Sequence, residues 1–168
     1  MKEKTVSIKK HIITYGVVLG IIKIIYGLIG IYTDYHWNHY DDLGKMVSSL
    51  LELFFYSSFL SFGIYKYKIL NNKLLSLKQA LKIGLGTMLI GACMRRVWKI
   101  ILYTIIDPDL FNRHIGFPED VSINPEEYTF GKAFDYLVTE SLPLLIFYLA
   151  LAAIISLISG AIMYKRLI

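Results

Sequence analysis

A single cysteine, Cys93, stands in a chain of 168 residues. No disulfide can form within it, and the apolar sequence around Cys93 describes an inert thiol rather than a reactive one. No tandem repeat, low-complexity tract or long linker divides the chain. No glycine-rich loop follows a strand, which removes the usual ground for nucleotide binding. No serine, histidine and acid are arranged as a nucleophilic triad. The N-terminus is basic and an apolar run follows it, as in a signal peptide. That run, His11 to Tyr32, is too long for a cleaved segment, has Lys23 at its centre and is followed by no small-x-small cleavage site. It reads as an uncleaved first span.

What the chain has is apolar length. Hydrophobic residues make up 55% of it, more than a soluble domain of this size can hide. Four stretches, at about 12–32, 46–65, 83–106 and 142–164, are each long enough to cross a hydrocarbon core of about 30 Å. One membrane domain over residues 1–168 therefore accounts for the chain. The net charge of +5 does not call for nucleic acid, because the basic residues flank apolar spans. Lys2, Lys4, Lys9 and Lys10, then Lys66, Lys68, Lys73, Lys78 and Lys82, then Lys165 and Arg166 fall on one side. Only Lys45, Arg113 and Lys132 fall on the other. Short basic loops remain in the cytoplasm, so both termini are expected there.

Local signals set the boundaries. Asn71-Asn72 marks a turn, and Ser76-Leu-Lys-Gln79 reads as a capping box that starts the third helix near Leu77. That helix should stop before Asp107-Pro108. Asn124-Pro125-Glu126-Glu127 reads as a helix start, opening an amphipathic outer segment that carries Phe130, Phe134 and Leu137 on one face. Pro143 is expected to kink or restart the chain. The expected fold is all-α: a four-span antiparallel transmembrane bundle, with the short first two connections favouring contact between successive helices.

Ionisable residues inside the spans locate any chemistry, since a bare charge in hydrocarbon persists only when paired, hydrated or bound. They are Lys23, Glu52, Arg95, Arg96 and Lys99, with Glu140 at the mouth of the last span. Gly16, Gly20, Lys23, Gly27 and Gly30 fall at offsets 0, 4, 7, 11 and 14, a stripe about 80° wide. The glycines suit close helix packing and place Lys23 on the packing face. Four cations against two carboxylates leave an excess that neutral lysines, water, a lipid phosphate or a partner's acid would have to meet. Arginine's planar fork suits phosphate.

His36-Trp-Asn-His39 with Asp34, Asp41 and Asp42 holds metal-ligand types at helical spacing. Tyr35, Trp37 and Tyr40 make a membrane-surface aromatic belt the simpler reading, so no metal is assigned. Glu52 and Glu140 offer an acid–base pair, but they fall at different depths with cations beside both. No catalytic residue and no cofactor follow.

A basic start, a glycine-rich first span, Glu52-Leu-Phe-Phe-Tyr56, Lys78-Gln-Ala-Leu-Lys-Ile-Gly84 and Glu140-Ser-Leu-Pro143 occur in that order. In this the chain resembles the bacterial four-span membrane family called domain of unknown function 4199. The resemblance covers nearly the whole chain and implies a multi-pass inner-membrane protein with no established activity. Arg95-Arg96 does not map onto that pattern. Two readings remain open. One is a non-enzymatic structural or accessory subunit, packing against a copy of itself or a membrane-protein partner through the glycine stripe. The other is a small protein binding or translocating an anionic lipid, polyprenyl-phosphate-linked or phospholipid, through its intramembrane Arg/Lys cluster.

Overall fold

The computed structural model describes residues 7–32, 42–107 and 130–164; within these, only the backbone is described at 30–32, 42–49, 104, 130–138, 140 and 141. The described residues form four helices and no strand. Helix α1 is Ile8–Tyr32, α2 is Asp42–Leu70, α3 is Leu77–Ile101 and α4 is Phe130–Met163. A π-helical turn, Leu102–Ile106, prolongs α3. The His36–His39 motif and the helix start at Asn124–Glu127 lie outside the described residues.

Local chemistry explains the ends. The Ser76 side chain accepts from the Gln79 N–H at 3.2 Å and the Ser76 N–H donates to Gln79 Oε1 at 2.9 Å. The expected capping box therefore opens α3. Removing it in Ser76→Ala should destabilise the folded chain by about 1 kcal/mol, read as a lower thermal midpoint in detergent. At the other end Asp107 leaves the helical region, with φ −144° and ψ 83°, in keeping with the rule that a residue before proline is pushed out of α-helical geometry. Between α2 and α3 the chain reverses through Asn71–Lys73. Asn72 and Lys73 take left-handed φ values of 53° and 63°, and the Asn71 side-chain amide donates to the Leu74 carbonyl at 3.0 Å.

Pro143 does not restart the chain. It lies inside α4, which continues unbroken through it. A proline removes one backbone hydrogen bond and is accommodated in a long helix whose neighbouring turns stay paired. The residues just before Pro143 thus belong to the last helix rather than to a separate surface helix. With 34 residues, α4 is about 51 Å long, well beyond a bilayer core of about 30 Å.

Side-chain pairing sets the arrangement. On α1 and α3, Ile12 meets Gly86, Gly16 meets Ile90 and Gly20 meets Met94, so these two helices run parallel. On α3 and α4, Gly84 meets Ala152 and Ser156 while Ala80 meets Gly160, so these run antiparallel. Ser61 bonds Ser159 at 2.8 Å, and the Tyr56 and Tyr148 rings lie 5.6 Å apart, so α2 parallels α4. The Nε2–H of His11 donates to the Gly63 carbonyl at 2.9 Å, and the His11 ring stacks on Tyr15 and meets the edge of Tyr67. This joins α1 to α2, antiparallel. The helices are therefore an antiparallel up-and-down bundle with the cyclic order α1, α3, α4, α2. The closest approaches are α1 on α3 and α3 on α4. Contact between successive helices, expected from the short connections, is the weaker kind for α1–α2 and α2–α3. Glycines at matched levels let α1 and α3 approach more closely than any pair of larger residues would.

Leu19, Tyr56, Leu60, Met88 and Ala152 form one buried cluster, and Ile64, Tyr67, Leu75, Ala80 and Ile83 another. The exterior is also apolar: Phe54 is 73%, Ile105 75% and Ile162 79% exposed. Among the described residues, two helices are long and apolar enough to cross a membrane: the 22 residues Ile8–Ile29 and the 22 residues Leu142–Met163, with mean hydropathy 2.2 and 2.5.

Candidate functional site

All four helices send a side chain to one polar cluster inside the bundle. Lys23 of α1 is 4% exposed. Side chains on a helix lean toward its N-terminus, and Lys23 follows that lean to bring its Nζ 3.4 Å from Met88 Sδ of α3. The same ammonium lies 4.3 Å from the centroid of the Tyr56 ring on α2 and 5.0 Å from that of Tyr148 on α4. Both rings present their electron-rich faces to it.

Glu52 stands one helical turn before Tyr56. Its Oε1 accepts the Tyr56 hydroxyl at 2.5 Å and the Tyr148 hydroxyl at 3.2 Å. Arg95 Nη1 faces this same oxygen at 3.8 Å, with the arginine side chain 25% and the glutamate side chain 16% exposed. That separation makes an ion pair but is too long for a hydrogen bond. The carboxylate thus ties α2 to α3 and α4, and the rings of its two tyrosines lie against the Lys23 ammonium.

Met88, Arg95 and Lys99 fall at offsets 0, 7 and 11 along α3, within about 40° of one another around the helix. The face that touches Lys23 at Met88 is therefore the face that carries Arg95 and, one turn further, Lys99. Lys99 is half-buried and lies within electrostatic reach of Arg95. Arg96 points about 100° away from Arg95 around the helix, is half-buried, and still adds positive potential at Lys23.

The structure thus brings Lys23, Glu52 and Arg95 together, with Lys99 one turn beyond and Arg96 beside them. Glu140 lies in α4, but its side chain, like that of Gly30, lies outside the described ones. Gly16 and Gly20 pack on α3: a Cβ at Gly16 would stand 2.7 Å from Ile90 Cβ, and one at Gly20 would stand 2.8 Å from Met94 Cβ. Gly27 shares their face of α1, and no described atom lies within 4 Å of where its Cβ would be. Among the described residues the stripe therefore meets α3 at Gly16 and Gly20.

Three participants escaped the sequence reading. Tyr56 had a signal in its spacing of four from Glu52. Met88 and Tyr148 had none, since methionine and tyrosine in apolar helices are ordinary packing residues.

The family described as protein of unknown function (DUF4199) matches residues 14–165, which include every member of this cluster. The chain belongs to the DUF4199 family. No curated protein and no solved structure matches it. For this DUF4199 chain the chemistry must therefore come from the cluster itself. Among the described residues, three cations, Lys23, Arg95 and Lys99, occupy one inward-facing zone with one carboxylate, Glu52. That carboxylate is already engaged by two tyrosine hydroxyls. Such a zone attracts an anion, and arginine's fork favours a tetrahedral phosphate.

Proposed function

We propose that this DUF4199 protein is a non-enzymatic, four-span protein of the bacterial cytoplasmic membrane, with both termini in the cytoplasm, that binds the phosphate of an anionic lipid inside its bundle. Its apolar exterior and the two long apolar helices support the membrane reading, and the basic terminal and α2–α3 segments support the orientation. The observation that carries the ligand class is the positive excess around Glu52 among the described residues. Arg95 and Lys99 are the proposed phosphate ligands, Lys23 supplies long-range attraction from below, and Glu52 with its tyrosines holds Arg95 in place. Gly16 and Gly20 face α3 of the same chain, which supports this reading over that of a subunit packing through those glycines.

Charge-assisted hydrogen bonds contribute about 1.5–3 kcal/mol each. The Arg95→Gln/Lys99→Gln double variant should therefore retain at least about tenfold less phosphatidic acid than the parent. Native mass spectrometry of the protein released from detergent micelles doped with that lipid makes the measurement. Equal retention by the two proteins removes the proposal.

A further inference from the structure

The end of the bundle where α1 and α3 begin carries exposed lysines on both helices. Lys9 and Lys10 lie in the first turn of α1 and Lys78 in that of α3, with Lys82 one turn further on, and all four are exposed. Neither first turn holds an acid. The start of a helix favours acids and disfavours lysines, so helix stability does not account for these. Register places three of them together. Ile12 meets Gly86, Gly16 meets Ile90 and Gly20 meets Met94, which sets Lys9 level with Ile83, beside Lys82. Ile8 packs against the buried cluster that holds Ala80 and Ile83, as that register requires. Lys78, Lys82 and Gly86 recur every four residues along one stripe of α3, and Gly86 is the member that touches α1. Lys9 stands one turn before Ile12, its counterpart in that contact. The seam between α1 and α3 therefore ends in Lys9, Lys78 and Lys82. Arg95 lies thirteen residues beyond Lys82, about 20 Å along the axis, so the two groups of cations are separate.

What lies next to these lysines names the partner. Ile13, one turn beyond Lys9, is 46% exposed, and Leu89, two turns beyond Lys82 on the same stripe, is 43% exposed. Exposed apolar surface thus runs away from the lysines along both helices. On α2 the same level is reached near Gly63, whose carbonyl accepts from His11. There the Lys66 ammonium lies 5.3 Å from the centroid of the Phe62 ring, which is itself 50% exposed. A lysine held over an exposed aromatic ring is the arrangement found at headgroup level. An acidic protein or a nucleic acid would meet the charge and leave the apolar surface in water, whereas a phospholipid meets both. We infer that Lys9, Lys78 and Lys82 hold the headgroup of an anionic phospholipid of the leaflet at that end, with its chains against Ile13 and Leu89. The inference rests on the membrane-spanning reading and is independent of Arg95 and Lys99 as phosphate ligands.

The test is native mass spectrometry of the full chain released from detergent micelles doped with phosphatidylglycerol. Lys9→Gln/Lys78→Gln/Lys82→Gln is expected to retain at least about tenfold less of this lipid than the parent. Arginine at the same three positions should restore parental retention, which a folding defect at those positions would not allow. Lys66→Gln/Lys68→Gln/Lys73→Gln removes the same charge from the same end, away from the seam, and should lower retention by less than about threefold. Retention of zwitterionic phosphatidylethanolamine should be alike in all of them. Equal losses from the two glutamine triples would mean diffuse attraction, and no loss from the first would mean no site; each overturns the inference. Displacement of the lipid by glycerol phosphate or a short DNA oligonucleotide at the same concentration overturns it too, since the ligand would then be a soluble anion. The same fold loss is expected in an Arg95→Gln/Lys99→Gln background. If the loss vanishes there, the seam holds no lipid of its own. If that background retains lipid as the parent does and the seam triple does not, the phosphate reading at Arg95 fails and the seam stands.

Discussion

Replacing Gly16 and Gly20 together by leucine is expected to abolish the folded bundle, whereas Gly27→Leu leaves it intact. All three glycines sit on one face of α1, so helix propensity and lipid exposure do not separate them. Distance does. A Cβ at Gly16 would lie 2.7 Å from Ile90 Cβ, and one at Gly20 2.8 Å from Met94 Cβ. A Cβ is fixed by its own backbone, so rotating Ile90 or Met94 relieves neither clash and α1 must move away from α3. Overpacking of this kind costs about 1–3 kcal/mol per site. The two sites stand one turn apart and strain the same interface, which makes their sum non-additive. Losing that interface also detaches Lys23 from Met88 and from both tyrosine rings, leaving a buried cation with nothing to receive it. At Gly27 the Cβ of a leucine meets no described atom within 4 Å, and the helix gains propensity of up to about 1 kcal/mol. Thermal unfolding in detergent, followed by far-ultraviolet circular dichroism, should give no cooperative transition for the double variant and an unchanged or higher midpoint for Gly27→Leu. A Gly16→Leu/Gly20→Leu protein that keeps its midpoint but loses a crosslinked dimer would move the stripe to an outer surface.

The contrast among these glycines shows how far sequence alone carries the fold. Periodicity gives a face and not a distance, so the stripe was legible and the tight approach to α3 at Gly16 and Gly20 was not. Signals confined to one turn were fully legible: the Ser76–Gln79 box and the end of the helical run at Asp107 before Pro108 depend only on neighbours in sequence. The cyclic order α1, α3, α4, α2 was not legible, since connections of ordinary length permit either ring and a glycine face does not name its partner. The convergence of Lys23, Glu52 and Arg95 was legible for an energetic reason. Charges this costly to expose to hydrocarbon must share the interior, and a narrow bundle has few places to put them. Tyr148 was hidden because the chain holds thirteen tyrosines, and only the fold distinguishes one that donates to Glu52 from one that sits in the membrane surface.

Glu52→Gln should destabilise the bundle, and Lys23→Met should rescue much of that loss. Glutamine keeps the shape of the side chain and one carbonyl oxygen, so the Tyr56 and Tyr148 hydroxyls retain an acceptor. The substitution removes the negative charge opposite Arg95 and within the field of Lys23. Breaking a fully buried ion pair costs about 3–5 kcal/mol. The 3.8 Å separation and the partial exposure of both side chains bring the expected loss down to about 1–3 kcal/mol. Lys23→Met removes one of the unbalanced cations and substitutes an unbranched apolar chain that fits against Met88 and the two rings, so on its own it should be neutral or stabilising. Combined with Glu52→Gln it should recover at least half of the lost midpoint, a coupling that a purely steric effect at either position would not produce. Additive losses would mean that Lys23 is balanced by something other than Glu52. The same imbalance sets a response to ligand. A protein that binds lipid phosphate only when folded is stabilised in proportion to the logarithm of occupancy. Glu52→Gln gives up its own anion and leaves more positive potential for a phosphate to neutralise. Phosphatidic acid should therefore raise the midpoint of Glu52→Gln more than that of the parent, and a smaller rise would place the phosphate away from Arg95.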